Sequence, residues 1–341
     1  MLWFDLGTPK SVLFFKPLIE RLTERGESPL VTSRGGAAYG EIHTLLLFHD
    51  LDAVVIGEYG GESLFGKVDA SLARQRRLLD LVREYRIERL VSLCNVDSCR
   101  VAFGLGISVI NFCDLPTRGD REPFTAVARL TLPLSAKILH PFVIPETIFT
   151  PLLKRENVVR YDFLDPILYL KDQTPDRSLI DGLPLDSTRK TVCFREEEEM
   201  ASYVTRDQTW VFDVLKGINA NIIAIPRYGS DRIRQQLPGA VVMDKGVELS
   251  AVLPFADLMV GGGGTINIEA AYWGTPVVST RSFISHYDRF LIAHDLMHHA
   301  ESPDQLKRLY EAHSDRRTDS SILTEQRKNA SVEWLLQSMG A

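Results

Sequence analysis

The chain has 341 residues, of which 45% are hydrophobic and 25% charged, so its composition is that of a globular protein rather than a disordered or fibrous one. Its 39 lysines and arginines against 45 aspartates and glutamates give a net charge of −6, which argues against a general nucleic-acid or anionic-membrane binder. Its length favours two domains over one. No apolar run is long enough to span a bilayer, and the four cysteines show no CxxC spacing. These features favour a cytoplasmic protein with reduced thiols.

The first half of the chain alternates predicted strands and helices, which is typical of a doubly wound parallel sheet. Strands are predicted over 2–6, 29–33, 53–57, 90–93, 109–112 and 137–141. Helices are predicted over 12–24, 38–49, 68–85 and 98–105. The strand at the start of the chain lacks a basic leader and is not expected to be a signal peptide.

The second half repeats this alternation after a stretch over 162–190 that is rich in proline, glycine and charge. Strands are predicted over 191–194, 222–225, 241–243, 258–260 and 276–279. Helices are predicted over 200–217, 230–236, 247–253, 265–273 and 322–338. We therefore predict a first Rossmann-like domain over 1–165, a linker over 166–190 and a second domain over 191–321. The C-terminal helix, within 322–341, is predicted to pack back on the first domain.

Four consecutive glycines at 261–264 follow a short apolar strand and precede a short helix. Glycines let the backbone approach a ligand closely, and the helix directs unsatisfied N–H groups and its positive dipole end to the same place. This combination predicts an anion site, although a tight glycine turn without a ligand is the alternative. Glu269, about one helical turn further, could accept hydrogen bonds from a diol, so the motif suits a nucleotide sugar. Valine at Gly262 or Gly263 is expected to abolish nucleotide binding and leave the fold intact.

Two arginines stand at the ends of the predicted strands that border this loop. Arg195 ends the first strand of the second half, and Arg227 follows the next one. Guanidinium groups suit diphosphate oxygens because they form bidentate charge-assisted hydrogen bonds, although pairing with Glu196 or Asp231 is the alternative. The predicted nucleotide-binding residues are Gly261, Gly262, Gly263, Gly264, Thr265, Glu269, Arg195 and Arg227.

Two charged stretches are predicted to be solvated. The acidic run over 196–199 is interpreted as the start of a solvent-exposed helix, where acids complement the helix dipole. Arg74 shares the helix over 68–85 with three other arginines. Because the net charge is negative, an ordinary solvated face is favoured there over a binding surface for an anionic acceptor.

Six motifs that cover almost the whole chain carry a resemblance to a known family. They are FFKPLIERL at 14–22, GGESLFGK at 60–67, RVAFGLGI at 100–107, PRY at 226–228, GGGGTINIEAA at 261–271 and GTPV at 274–277. The chain resembles the domain-of-unknown-function family 354 of the GT-B superfamily. Its relatives with known chemistry are the non-hydrolysing UDP-N-acetylglucosamine 2-epimerases and the N-acetylglucosaminyltransferase of peptidoglycan synthesis. The resemblance implies an α/β, GT-B-like fold of two facing Rossmann-like domains with parallel sheets and a cleft between them. It also implies that the glycine loop holds the nucleotide diphosphate and that Glu269 binds the ribose hydroxyls.

The first domain supplies the candidate catalytic groups, because carboxylates at strand ends can act as acid or base when their surroundings tune the pKa. Asp97 and Asp114 are the predicted catalytic residues, and the alternative for each is capping of the next helix. The resemblance supports them, since the epimerases use carboxylates of this domain to move a proton at the sugar. The predicted sugar or acceptor loop consists of Gly7, Thr8, Pro9, Ser11 and His286.

The first loop of this chain differs from that of its relatives, and the role of His286 stays open. Relatives usually carry histidine in the first loop where this chain has Ser11, so an acid/base group facing the cleft is lost. His286 lies just past a predicted strand end, and a solvated loop histidine is the alternative to a sugar contact. Three other histidines, at 294, 298 and 299, lack the glutamate of the HExxH metal motif.

The predicted function is binding of a nucleotide-diphosphate sugar, with metal-independent glycosyl transfer as the favoured reaction. A nucleotide-sugar 2-epimerase is the first alternative. A non-catalytic nucleotide-sugar binding or regulatory protein is the second, and the missing histidine favours it. No metal, cofactor, nucleic-acid partner or transmembrane segment is expected, whereas the acceptor and a homodimeric state stay open.

Overall fold

The chain forms two compact units, which we name unit 1 and unit 2. Unit 1 comprises Met1–Tyr169 and Lys328–Ala341, and unit 2 comprises Leu170–Arg327. The computed structural model describes residues 1–36, 39–61, 63–119, 123–197, 209–227, 229–243 and 249–341. None of the helices within these ranges is long and apolar enough to cross a membrane. Each unit is built on one parallel sheet, so the predicted α/β class with parallel sheets is confirmed.

The sheet of unit 1 has seven strands in the order β3-β2-β1-β4-β5-β6-β7. They are β1 Leu2–Leu6, β2 Leu30–Ser33, β3 Val54–Val55, β4 Arg89–Ser92, β5 Ser108–Phe112, β6 Lys137–Pro141 and β7 Val158–Tyr161. The order reverses between β1 and β4, whose register pairs Asp5 with Ser92. The loops that follow these two strands therefore meet at the edge of the sheet where ligands bind in open α/β folds.

Helices cover the sheet of unit 1 and bury its apolar strands. They are α1 Pro9–Glu24, α2 Gly40–Phe48, α3 Leu64–Val82, α4 Val96–Gly104, α5 Ala126–Thr131 and the C-terminal α14 Val332–Met339. Helix α1 begins three residues before the predicted start, because Thr8 caps it and Pro9, with its fixed φ, occupies the first turn. The predicted start of α2 at position 38 lies outside the described residues.

The sheet of unit 2 has six strands in the order β10-β9-β8-β11-β12-β13. They are β8 Lys190–Arg195, β9 Ala220–Ile225, β10 Val241–Val242, β11 Leu258–Gly261, β12 Val277–Ser279 and β13 His298–His299. The helices that lie between β7 and α14 in the chain are α6 Ile167–Leu170, α7 Ser178–Asp181, α8 Thr209–Gly217, α9 Ser230–Gln236, α10 Gly264–Tyr272, α11 His286–Ala293, α12 Pro303–His313 and α13 Ser321–Thr324. Buried aliphatic and aromatic side chains of β8, β9, β11 and α8 form the core of this unit.

Two predicted helices differ from the structure. The helix predicted over 322–338 is not continuous. Ser331 is the N-cap of a new helix, α14, because its hydroxyl accepts a hydrogen bond from the Trp334 N–H (3.2 Å). The helix predicted over 247–253 is replaced, within the described residues, by 3₁₀ turns Leu249–Ala251 and Leu253–Phe255, the second containing Pro254. Positions 247–248 and the predicted helix start over 200–208 lie outside the described residues.

Candidate functional site in unit 2

The glycine loop lies at the point where the strand order of unit 2 reverses. Strands β8 and β11 are neighbours, and Arg195 is in register with Gly261. The Gly262 N–H donates to the Arg195 carbonyl (2.9 Å), which extends the pairing into the loop. The loops after β8 and β11 are thereby held together at the carboxyl edge of the sheet, which is the ligand-binding edge of this architecture.

Close packing explains the first two glycines of the loop. A Cβ atom on Gly261 would lie 1.9 Å from Asn267 Oδ1, and one on Gly262 would lie 2.4 Å from the Glu197 backbone nitrogen. Any larger residue at 262 would have to displace the backbone after β8. We therefore expect valine at Gly262 to destabilise the fold, in contrast to the prediction that it leaves the fold intact.

The last two glycines instead face cationic side chains. A Cβ atom on Gly263 would lie 3.3 Å from Arg227 Nη2, and one on Gly264 would lie 3.0 Å from Arg281 Nη1. Gly263 is the residue that precedes α10, and no described side chain caps that helix. Two guanidinium groups thus flank a nine-residue helix whose first N–H groups lack helical partners. This arrangement has the chemistry of a site for an anion with several oxygens.

Arg281 is a site residue that the sequence interpretation did not single out. It follows β12, the strand next to β11, and its Nη1 lies 3.2 Å from Asp288 Oδ2. Its guanidinium carbon lies 3.9 Å from the centre of the Phe283 ring, a cation–π contact. The His299 ring nitrogen Nε2 donates to the Arg281 carbonyl (2.8 Å). These contacts fix the arginine beside the loop.

Of the other predicted residues of unit 2, three are buried and Thr265 is half-buried. Buried Arg195 donates a hydrogen bond from Nη1 to the Pro226 carbonyl (3.3 Å), so its side chain extends towards the end of β9. Glu269 lies inside α10 with little exposed surface, and Thr265 lies in its first turn. His286 begins α11 and is buried, in contrast to the alternative of a solvated loop histidine.

The prediction that residues 196–199 form a solvated helix start is wrong for its first two members, and 198–199 lie outside the described residues. Glu196 and Glu197 are each 3% exposed and belong to no helix. Glu197 Oε1 accepts hydrogen bonds from the N–H (2.9 Å) and hydroxyl (2.8 Å) of Ser282. Glu196 accepts from the Arg227 N–H (3.3 Å). The two carboxylates therefore join the loops around the glycine turn.

The candidate catalytic Asp97 of unit 1 is held by a polar network. Its Oδ2 lies 2.9 Å from Arg34 Nη2 and 3.5 Å from Arg74 Nη1. Its Oδ1 accepts hydrogen bonds from the Ser71 hydroxyl and from Gln75 Nε2 (3.4 Å). The side chain is buried in the first turn of α4.

The candidate catalytic Asp114 pairs with the ammonium group of Lys10 (2.6 Å). The same ammonium also contacts Asp165, which accepts a hydrogen bond from the Tyr161 hydroxyl (2.6 Å). Burial alone would lower the pKa of Lys10, but the two carboxylates outweigh it and hold that pKa well above its usual range. Lys10 is therefore a permanent cation beside Asp114.

The predicted acceptor loop is partly helical. Thr8 and Ser11 form a reciprocal capping box, in which each backbone N–H donates to the other residue's hydroxyl at 3.2 Å or less. Ser11 also donates its hydroxyl to the Thr8 carbonyl (2.6 Å). A Cβ atom on Gly7 would lie 2.3 Å from Asn95 Nδ2, so Gly7 is needed for the close approach of the loops after β1 and β4. Ser11 thus stabilises the start of α1.

The sequence profile of the family DUF354, described as a protein of unknown function, matches residues 1–328, and the chain belongs to this family. An uncharacterized protein of Methanocaldococcus jannaschii is 26% identical over 307 residues, which cover 87% of this chain and 86% of the relative.

Solved structures with the same fold include two of stated activity. The UDP-GlcNAc 2-epimerase of Neisseria meningitidis, bound to UDP-GlcNAc, is similar with a TM-score of 0.74 and 13% identity, covering 98% of this chain and 99% of that one. The spinosyn rhamnosyltransferase, complexed with spinosyn aglycone, is similar with a TM-score of 0.62 and 13% identity over 100% of both chains. These matches confirm the predicted GT-B fold.

Proposed function

We propose that this DUF354 protein binds a nucleotide-diphosphate sugar through the glycine loop of unit 2. The observation that carries the proposal is the placement of Arg227 and Arg281 beside the first residues of α10, whose N-terminus has no side-chain cap among the described residues. Two guanidinium groups and a helix N-terminus match the charge and the oxygens of a diphosphate. Similar proteins that bind UDP-GlcNAc share the fold, which supports this ligand class.

The favoured reaction is glycosyl transfer without a metal ion. A nucleoside diphosphate leaves with developing negative charge, and preorganised cations beside it stabilise the transition state. Arg195, Arg227 and the glycine loop would supply that stabilisation, with Arg281 as a further contributor. A carboxylate of unit 1, Asp97 or Asp114, would activate the acceptor as a general base.

A non-catalytic binding protein is the second candidate, and a specific observation favours it. Both oxygens of Asp97 are engaged, and Asp114 pairs with Lys10, so each candidate base is already committed to protein partners. Turnover assays with UDP-, GDP-, dTDP- and CDP-sugars separate the possibilities. Nucleotide release that requires an acceptor marks a transferase, and isomerisation of the sugar without acceptor marks an epimerase. Binding without either product marks a binding protein.

Glu269→Gln should weaken binding of a nucleoside diphosphate by about 1–3 kcal/mol, because an ionised acceptor for the ribose hydroxyls is replaced by a neutral one of the same shape. Isothermal titration calorimetry measures the loss. The matched control is the 2′,3′-dideoxy nucleotide, which should bind the variant and the parent protein equally. An equal loss of affinity for the dideoxy ligand would contradict the role of Glu269 in ribose binding.

A further inference from the structure

Two thiols that the proposed function does not use meet at the carboxyl edge of the sheet of unit 1. Strands β4 and β5 are neighbours whose register pairs Ser92 with Asn111, and Cys94 and Cys113 each lie two residues beyond this pair. The Cys94 thiol donates to the Phe112 carbonyl (3.4 Å), so its side chain is directed towards β5. The side chains of Cys94 and Cys113 are also hydrogen-bonded to each other.

The two thiols differ in their access to solvent. Cys94 is half-buried, whereas Cys113 is only 2% exposed. Burial raises the pKa of the Cys113 thiol, so this sulfur stays protonated and is shielded from reagents in solution. Cys94 is therefore the sulfur that an oxidant from solution meets first, and Cys113 is within reach to react with Cys94 next.

The backbone of Cys94 is unusual for a residue with a side chain. Its φ is +53°, in the left-handed region, where a Cβ atom is unfavourable. Glycine would occupy such a position at no steric cost. Strained positions of this kind cluster at functional sites, and here the strain lies at the more accessible of the two thiols.

We propose that Cys94 and Cys113 are a redox-sensitive pair of thiols that hydrogen peroxide converts to a disulfide. The Cys94 sulfur attacks one peroxide oxygen, the O–O bond breaks, and a sulfenic acid and one water molecule form. The Cys113 sulfur then attacks the Cys94 sulfur, the S–O bond breaks, and the hydroxide leaves with the Cys113 proton as a second water molecule. The thiols together lose two electrons and two protons, and the peroxide is reduced to water.

Cys99 is the other cysteine of unit 1 that could compete for this bond. It is buried in α4, and its thiol donates to Asn111 Oδ1 (3.4 Å). The bond to Cys113 has a consequence for its neighbour Asp114, the carboxylate that pairs with Lys10 (2.6 Å). A disulfide would tie the segment that carries this candidate catalytic group to the loop after β4. The proposal is independent of the nucleotide site of unit 2.

Hydrogen peroxide added to the folded full chain should link Cys94 to Cys113, and the protein should lose about 2 Da, the mass of two hydrogen atoms. Digestion with trypsin without reductant identifies the bond, because the two cysteines fall in separate peptides, 90–100 and 101–118. Cys94→Ala and Cys113→Ala should each abolish the link. Cys99→Ala is the matched control, since it removes the other cysteine of peptide 90–100 and should keep the link. Circular dichroism verifies that each variant is folded.

The selectivity of the bond should depend on the fold. In urea the same oxidant should give a mixture of pairings that includes Cys193, because no two thiols are held together in the unfolded chain. A folded protein that retains all its thiols in excess peroxide would overturn the proposal, as would oxidation of Cys94 to the sulfinic acid without a bridge. A link between the two peptides that persists in Cys94→Ala would also overturn it, because the bond would then belong to Cys99.

Discussion

Replacing Gly263 by valine should lower the affinity for UDP at least about 100-fold, a loss of about 2.7 kcal/mol, while the protein stays folded. The backbone at Gly263 has φ −109° and ψ 142°, an extended conformation that a β-branched residue readily adopts. Its Cβ would lie 3.3 Å from Arg227 Nη2 and 3.4 Å from Ile266 Cγ2. The added methyl groups would then occupy the space between α10 and Arg227 where the diphosphate is proposed to bind. Isothermal titration calorimetry with UDP measures the loss.

Gly262→Ala is the control that separates a binding effect from a packing effect. Its Cβ would lie 2.4 Å from the Glu197 nitrogen and 2.5 Å from the Glu197 Cα, so this smaller substitution should lower the melting temperature more than Gly263→Val does. Full UDP affinity in a folded Gly263→Val protein would reject the proposed position of the diphosphate. If the parent protein itself binds no nucleoside diphosphate, the proposed function fails as a whole.

The architecture and the glycine loop were predictable because their signals are local. A short apolar strand, four glycines and a helix are consecutive in the chain, and the loop is found where the strand order reverses. The predicted strands likewise alternate with helices over short intervals, which leaves little choice but parallel sheets. The different roles of the glycines were not predictable. The close packing that requires Gly261 and Gly262 involves Asn267 and the backbone of Glu197.

The partners of the charged residues were not predictable, because they come from distant parts of the chain. Glu197 is bonded to Ser282, 85 positions away, so an acidic run that resembles a solvated helix start is instead buried. Arg281 follows β12, and its place beside Gly264 depends on the pairing of β11 with β12. Sequence distance hides both contacts.

The interpretation of Arg74 as part of a solvated face is wrong, although its helical spacing from apolar residues indicates a position on the buried face. Arg74, Leu78 and Val82 are spaced by four residues, so they share the inner face of α3. Arg74 is 2% exposed and pairs with Asp5 through two contacts, Nη2–Oδ1 at 2.7 Å and Nη1–Oδ2 at 3.3 Å. Its Nε–H donates to the Ile56 carbonyl (2.9 Å).

Arg74→Met should lower the free energy of unfolding of the protein at pH 7.5 by about 3–5 kcal/mol, the cost of leaving a buried charge without its partner. Asp5 is completely buried, and its Oδ1 also accepts a hydrogen bond from the Thr32 hydroxyl (2.7 Å). In the same variant Asp97 also loses its contact with Arg74, but it keeps its ion pair with Arg34. Urea unfolding followed by circular dichroism measures the change. Asp5→Asn combined with Arg74→Met removes both charges and should recover at least half of the loss.

The pH dependence of this loss identifies Asp5 as its source. In the native protein burial acts to raise the pKa of Asp5, but the charge and hydrogen bonds of Arg74 outweigh it and hold that pKa below its usual value of 3.8. The pair therefore stabilises the fold above pH 3.8, and this contribution is lost as the pH falls through the lowered pKa. Without Arg74 burial dominates and the pKa of Asp5 rises, so the folded variant binds a proton that the unfolded chain releases. The deficit of Arg74→Met should consequently be smaller at pH 5 than at pH 7.5, and the double variant should show no such difference. A deficit that is the same at both pH values would assign the loss to the packing of the arginine stem instead of to the buried carboxylate.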